Sequence, residues 1–206
     1  MPFLKFELAA LALTSAYGLN VGVISDMHTN MYYDDYGGED ADCWSTIPDI
    51  RSDRPSPWAR YGCDPSADMV DAMLNRYIET LGSPDFLLIT GDHVCHNMAK
   101  ERGEATEESF QAVKDNLKFT NDIVKKYFSD IPVLTVFGNN DSKYHNQAPD
   151  TADKADFYGY VFDLWFTEMP GNARFAADEE IKKTFLSAGY YRADITDSLS
   201  VLALNS

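Results

Sequence analysis

Three short apolar runs mark the chain, and each one ends in a cluster of polar residues. Val21-Gly22-Val23-Ile24 leads into Ser25-Asp26-Met27-His28, and Phe86-Leu87-Leu88-Ile89 leads into Thr90-Gly91-Asp92. The third, Ile131-Pro132-Val133-Leu134-Thr135-Val136-Phe137, leads into Gly138-Asn139-Asn140-Asp141. Continuous apolar runs of this length predict strands buried on both faces. Between them the period changes from two to nearly four. Met69, Met73 and Tyr77 share one helical face with Leu74, Ile78 and Leu81 beside them, and Phe110, Val113, Leu117, Val124 and Phe128 repeat the pattern. Both stripes are expected to be core. A last strand is expected over Ser200-Val201-Leu202-Ala203-Leu204. Strands alternating with helices predict an α/β architecture of parallel or mixed sheet, with ligands gathering beyond the carboxyl ends of the strands. All three polar clusters fall at such ends.

Composition narrows the choice of partner. With 17 basic against 33 acidic residues, the net charge is -16. No Lys/Arg cluster interrupts that acidity, so nucleic-acid binding through a basic surface is not expected. The 206 residues suffice for one core, and they contain neither internal repeats nor a low-complexity tract. Residues 1–18 differ from the rest. Lys5, the apolar run Leu8-Ala9-Ala10-Leu11-Ala12-Leu13 and the small residues of Ala16-Tyr17-Gly18 have the order of a secretory leader, although Glu7 departs from it. The run is shorter than the roughly 20 residues a membrane span needs, so no transmembrane segment is expected. The alternative is a buried amino-terminal helix. The expected organisation is a signal peptide over residues 1–18, then one domain over 19–206 in a secreted or lysosomal/vacuolar protein.

Export allows disulfides. Cys43 and Cys63 flank a long loop rich in Pro, Asp and Arg, which has little apolar periodicity to pack it, and are expected to be bridged. Cys95 is then odd and is expected to be a small buried side chain. The sequon Asn140-Asp141-Ser142 lies inside a polar cluster and is expected to carry no glycan.

Each polar cluster alone is a weak signal. Together they place metal-ligating groups at three strand ends in one order. Asp26 and His28 offer a carboxylate oxygen and an imidazole to one ion, Asp92 a carboxylate able to bridge two, and Asn139 an amide oxygen to the second. Mixed oxygen and nitrogen donors suit zinc, with manganese and iron as alternatives, better than a soft thiolate site would.

The series Asp26-x-His28, Gly91-Asp92, Gly138-Asn139-Asn140-Asp141 resembles the first three blocks of the calcineurin-like metallophosphoesterases. It is most similar to the branch of acid sphingomyelinase-like phosphodiesterases and endopolyphosphatases. His96, four residues after Asp92, the stretch Tyr61-Gly62-Cys63-Asp64-Pro65, and Tyr190-Tyr191-Arg192 through Leu204-Asn205 extend the likeness. The resemblance implies a sandwich of mixed β-sheets flanked by helices, of which this chain is the front portion. It also implies a two-metal hydrolase acting on a phosphoester substrate, with the ions about 3.5 to 4 Å apart. By that likeness His96 serves as an acid or hydrogen-bond donor at the scissile phosphate, while Asp141 orients the Asn139 loop. His93 has no such role and is expected either to be structural or to support the ligands from behind.

Two departures qualify the likeness. Most relatives place a His where this chain has Asn140, whose amide can hold a phosphate oxygen but cannot deliver a proton. The Asn-Asn-Asp loop followed by His145-Asn146 resembles the endopolyphosphatase side and moves the acid role to His96 or His145. The catalytic candidates are therefore His96, Asn140 and His145. The family also uses three further histidines from downstream blocks, whereas the four here are His28, His93, His96 and His145. A soluble phosphodiester or nucleotide is the expected substrate. Sphingomyelin fits poorly, because the first metal block lies close behind the expected leader and leaves no place for a lipid-handling domain. An endopolyphosphatase or a non-catalytic binding relative are the alternatives, and the oligomeric state is left open.

Overall fold

The computed structural model describes residues 18–38, 40, 42–47 and 51–205; all of the expected leader but Gly18 lies outside them. Strands β1 (Val21–Ile24), β2 (Phe86–Ile89) and β3 (Val133–Thr135) pair in parallel in that order. The register sets Val21 opposite Phe86, Ile24 opposite Ile89 and Leu87 opposite Val133. Parallel neighbours need a long crossover. Here α1 (Ala67–Leu81) connects β1 to β2 and α2 (Glu107–Phe128) connects β2 to β3. The carboxyl ends of all three strands therefore lie along one edge of the sheet. A hairpin of β4 (Tyr191–Thr196) and β5 (Leu199–Ala203), antiparallel with Tyr191 opposite Ala203, makes the arrangement mixed, as expected.

Local chemistry sets the helix limits. Ser66 caps α1 by accepting from the Met69 N–H, and the helix stops at Gly82, whose φ of 75° suits a residue without Cβ. At the start of α2, Thr106 and Ser109 bond reciprocally, with Glu107 and Glu108 in the first turn and Lys125 and Lys126 in the last.

Alternation along the strands divides the core in two. Ile24, Leu87, Ile89 and Val133 pack with Val70 and Leu74 of α1 and with Val124 and Phe128 of α2. Phe86 and Leu134 pack on the other side with Phe110, Val113 and Leu117 of α2. That second side also takes an aromatic group from α3 (Thr151–Phe162), a π-helical turn (Asp163–Thr167) and α5 (Glu179–Ala188). Between this turn and α5 lie a short 3-10 turn (Pro170–Asn172) and α4 (Ala173–Ala176).

One expectation about α1 is corrected. Met69, Met73 and Leu81 are exposed rather than core. The buried stripe runs through Val70 and Leu74, with Tyr77 and Ile78 half-buried beside it. The sheet takes the helix face one position further round, because the β-branched Val70 faces the strands and flexible Met69 is left in water.

The Cys43–Cys63 bridge is present, with Cα atoms 5.9 Å apart, and Cys95 is a free, buried thiol. Within the loop, Arg51 makes paired bonds to Asp34 at 2.7 and 3.1 Å. A disulfide closing a loop of this size contributes about 3 kcal/mol in the chain-entropy account. The double variant Cys43→Ser/Cys63→Ser is expected to lose about that much stability in denaturant titration. Burial pushes the Cys95 thiol well above its ordinary range. Cys95 should therefore ignore thiol reagents in the native protein and react only on unfolding. A native Cys95 that labels readily would contradict this packing.

Candidate metal centre

The loops after β1, β2 and β3 are laced together through their backbones. Asp26 N–H donates to Gly91 C=O at 3.2 Å, His28 N–H to Asp92 C=O at 2.9 Å and Thr29 N–H to His93 C=O at 3.0 Å. The third loop is joined by the buried Asp141 carboxylate. One of its oxygens accepts from His93 and Val94 N–H, both at 2.9 Å, and the other from Gly138 N–H at 2.8 Å. Asp141 thus acts as the hub of two loops, in keeping with an orienting role.

The backbone here is strained. Asp26, His28 and Asp92 have φ of 53°, 40° and 54°, a left-handed region that costs non-glycine residues. Such outliers gather where a structure holds side chains for chemistry. These three residues each present a donor atom, all within 4.8 Å of one another. His28 Nε2 lies 3.8 Å from an oxygen of Asp26 and 3.8 Å from one of Asp92. His28 Nδ1 is 3.0 Å from Val94 C=O, which can only accept. The neutral ring therefore carries its proton on Nδ1 and turns the Nε2 lone pair to the two carboxylates. Two carboxylates around an imidazole lone pair form a donor set that fits a divalent cation.

Asn139 and Asp92 lie on the wall of one cavity of about 620 Å³, which Thr90, Phe137, Gly138 and Tyr158 also line. Asn140 is fully buried beside them. Its backbone N–H and its side-chain Nδ2 both donate to the same Asp92 oxygen, at 2.9 and 3.2 Å. The donors that the sequence reading offered to phosphate are therefore spent on Asp92. A buried amide of this kind is also closed to glycosylation. Its Oδ1 has no partner among the described residues.

The other histidines separate clearly. His93 is buried against Trp165 with ring centroids 5.4 Å apart, and burial pulls its pKa down. It packs, as expected. His96 is half exposed and stacks on His28 at 4.0 Å between centroids. Asp64 grips it twice, accepting from the backbone N–H at 2.6 Å and lying 2.9 Å from Nδ1. His145 stands 3.1 Å from the Asn139 amide nitrogen, with Glu101 3.1 Å behind it.

Sequence reasoning missed several supporting groups. Asp64 backs the exposed imidazole of His96, and Glu101 backs the half-buried one of His145. Asn116 and Thr120 on α2 bond the backbone carbonyls of Thr29 and His93 at 2.8 and 3.3 Å. The last pair left a signal: two polar residues four apart on a helix face that is otherwise apolar.

The family model for calcineurin-like phosphoesterase matches residues 19–203. The chain is 24% identical over 185 residues to sphingomyelinase phosphodiesterase C of Dictyostelium discoideum, covering 89% of this chain and 38% of that protein. It is 28% identical over 201 residues to an endopolyphosphatase of Schizosaccharomyces pombe, covering 89% of this chain and 32% of that protein. It is 31% identical over 109 residues to acid sphingomyelinase-like phosphodiesterase 3b of Mus musculus, covering 53% and 22%. The chain therefore spans well under half the length of the curated relatives it matches.

Proposed function

The chain belongs to the calcineurin-like phosphoesterases, and on that premise we propose that it builds the cation-binding front of a hydrolase for a soluble phosphodiester or nucleotide. The observation that supports this most is the convergence of Asp26, His28 and Asp92, from two strained strand ends, within 4.8 Å. Asp26 and His28 would hold one divalent ion, Asp92 would bridge to a second, and Asn139 would serve the second. We assign zinc to these donors, with manganese or iron as alternatives. Divalent ions at such a site supply Lewis-acid polarisation of a phosphoryl group and acidify bound water.

The remaining chemistry falls to side chains. His96 is assigned to the leaving-group side, where its Nε2 passes a proton to the departing oxygen. Asp64, 2.9 Å from Nδ1, fixes the ring's orientation. Asn140 donates twice to Asp92 and holds the carboxylate in place. A net charge of -16 does not steer a long polyanion inward, which favours a small phosphodiester. A second reading, polyphosphate cleavage, has the similarity to an endopolyphosphatase over 89% of the chain in its favour. The Cys43–Cys63 bridge fits an oxidising compartment, so we place the protein in the secreted or lysosomal/vacuolar space.

Metal analysis together with hydrolysis of bis(p-nitrophenyl) phosphate and of polyphosphate tests this. Two ions seek about four to six donors each, more than Asp26, His28, Asp92 and Asn139 provide. These 206 residues alone are expected to hold one divalent ion at a time, weakly, and to turn over little. A protein extended by segments that bring further histidines should hold two ions and cleave the diester. Two tightly bound ions without hydrolysis of either substrate would favour a binding protein instead. No metal uptake in either form would overturn the site.

A further inference from the structure

The loop after β3 folds back so that His145 Nε2 lies 3.1 Å from Asn139 Nδ2. An amide nitrogen only donates, so Nε2 accepts. The proton of the neutral ring is thereby placed on Nδ1, 3.1 Å from a Glu101 carboxylate oxygen. The Asn146 amide nitrogen also lies 3.2 Å from Nδ1, but of these two neighbours only the carboxylate accepts. The backbone secures the arrangement from both sides. His145 N–H donates to Lys100 C=O and Asn146 N–H to Asn139 C=O, each at 3.0 Å, and Asn146 takes a φ of 61° to do so. With Nδ2 turned to His145, the other branch of the Asn139 amide, Oδ1, is left for whatever shares the cavity wall with Asp92.

We propose that Glu101 and His145 form a positioning pair that locks the Asn139 amide with its oxygen toward a divalent cation. The proposal rests on Asn139 being a cation ligand, as proposed above. An isolated amide has two flips of similar energy, and only one offers oxygen to a cation. An imidazole held as an acceptor selects that flip, and Glu101 selects the tautomer that makes it an acceptor. His145 is thereby taken out of proton transfer, and the absence of a histidine at position 140 is compensated by His96 alone.

Mn²⁺ titration of the protein extended by the segments that let it hold both ions, followed by calorimetry and electron paramagnetic resonance, tests the pair. Asn139→Ala should weaken Mn²⁺ binding. His145→Ala should reproduce that loss, about tenfold or more, as outer hydrogen bonds to ligands do. Glu101→Ala, at an exposed side chain, should weaken binding in the same direction without moving the unfolding midpoint. His145→Gln, whose Oε1 accepts with no tautomer to choose, should restore most of the affinity. If Asn139→Ala changes nothing, the ligand assignment falls and the pair with it. If Asn139→Ala weakens binding while His145→Ala and Glu101→Ala do not, the ligand stands and the positioning pair is overturned. A His145→Gln protein as weak as His145→Ala would also overturn it.

Discussion

Asp92→Asn is expected to abolish phosphoesterase turnover in the intact protein while leaving the fold in place. The substitution is nearly isosteric, and the retained amide oxygen can still accept the Asn140 N–H that now reaches Asp92 at 2.9 Å. What disappears is the charge, together with one acceptor. The new amide nitrogen would face His28 Nε2, which now lies 3.8 Å from an Asp92 oxygen, and would donate to it. The lone pair meant for a cation would then be occupied. Loss of Asp92 as the proposed bridging ligand should exceed the roughly 100-fold that loss of an outer hydrogen bond costs. It should also remove metal uptake, measurable without any substrate. A protein that keeps turnover and metal content after Asp92→Asn would refute the bridging role.

The sequence made legible whatever depended on local order. Each of the three parallel strands shows as an apolar run, but only β2 and β3 meet core on both faces; β1 buries Gly22 and Ile24 and, against expectation, leaves Val21 and Val23 exposed. Their polar ends could be ranked as a site because parallel pairing sends every carboxyl end to one edge. The region of α3, the π-helical turn and α5 was not legible in the same way. Phe157, Tyr158, Val161, Phe162, Leu164, Trp165 and Phe166 are all buried, so only a narrow exposed stripe through Asp156, Asp163 and Thr167 remains to mark a helical period. The supporting carboxylates were hidden for another reason. Asp64 lies 32 residues from His96 and Glu101 lies 44 from His145, and no local pattern ties partners so far apart. Asn140 shows the same limit. Its identity was plain, but that both its donors turn to Asp92 depends on how closely two loops approach.

That approach gives the second large effect, expected for Gly138→Ala. Gly138 follows the strand that ends at Thr135, and the hydroxyl of the buried Tyr191 donates to Thr135 C=O at 2.9 Å just behind it. Phe137 is packed against Phe157, Tyr158, Trp165 and Phe185, so the backbone before Gly138 has little freedom to retreat. A Cβ at Gly138 would run into the Asp92 backbone nitrogen and carboxylate. On the facing loop, Gly91 comes so near that its own Cβ would lie 2.5 Å from Gly138 N. Two glycines meeting in this way let the β2 and β3 loops touch, and the touch places Asp92 between His28 and Asn140. Alanine cannot be admitted by rotating a flexible side chain, because the obstacle is backbone. The loops must separate, which strips Asp92 of the Asn140 N–H and Asp141 of the His93 and Val94 N–H bonds, each at 2.9 Å. Overpacking of this kind costs about 1–3 kcal/mol, and the lost bonds to two buried carboxylates add to it. Gly138→Ala should therefore lower the unfolding midpoint in denaturant and remove Mn²⁺ binding together, whereas Asp92→Asn should remove binding alone. A Gly138→Ala protein with wild-type stability and undiminished Mn²⁺ affinity would show that the two loops do not need this contact to form the site.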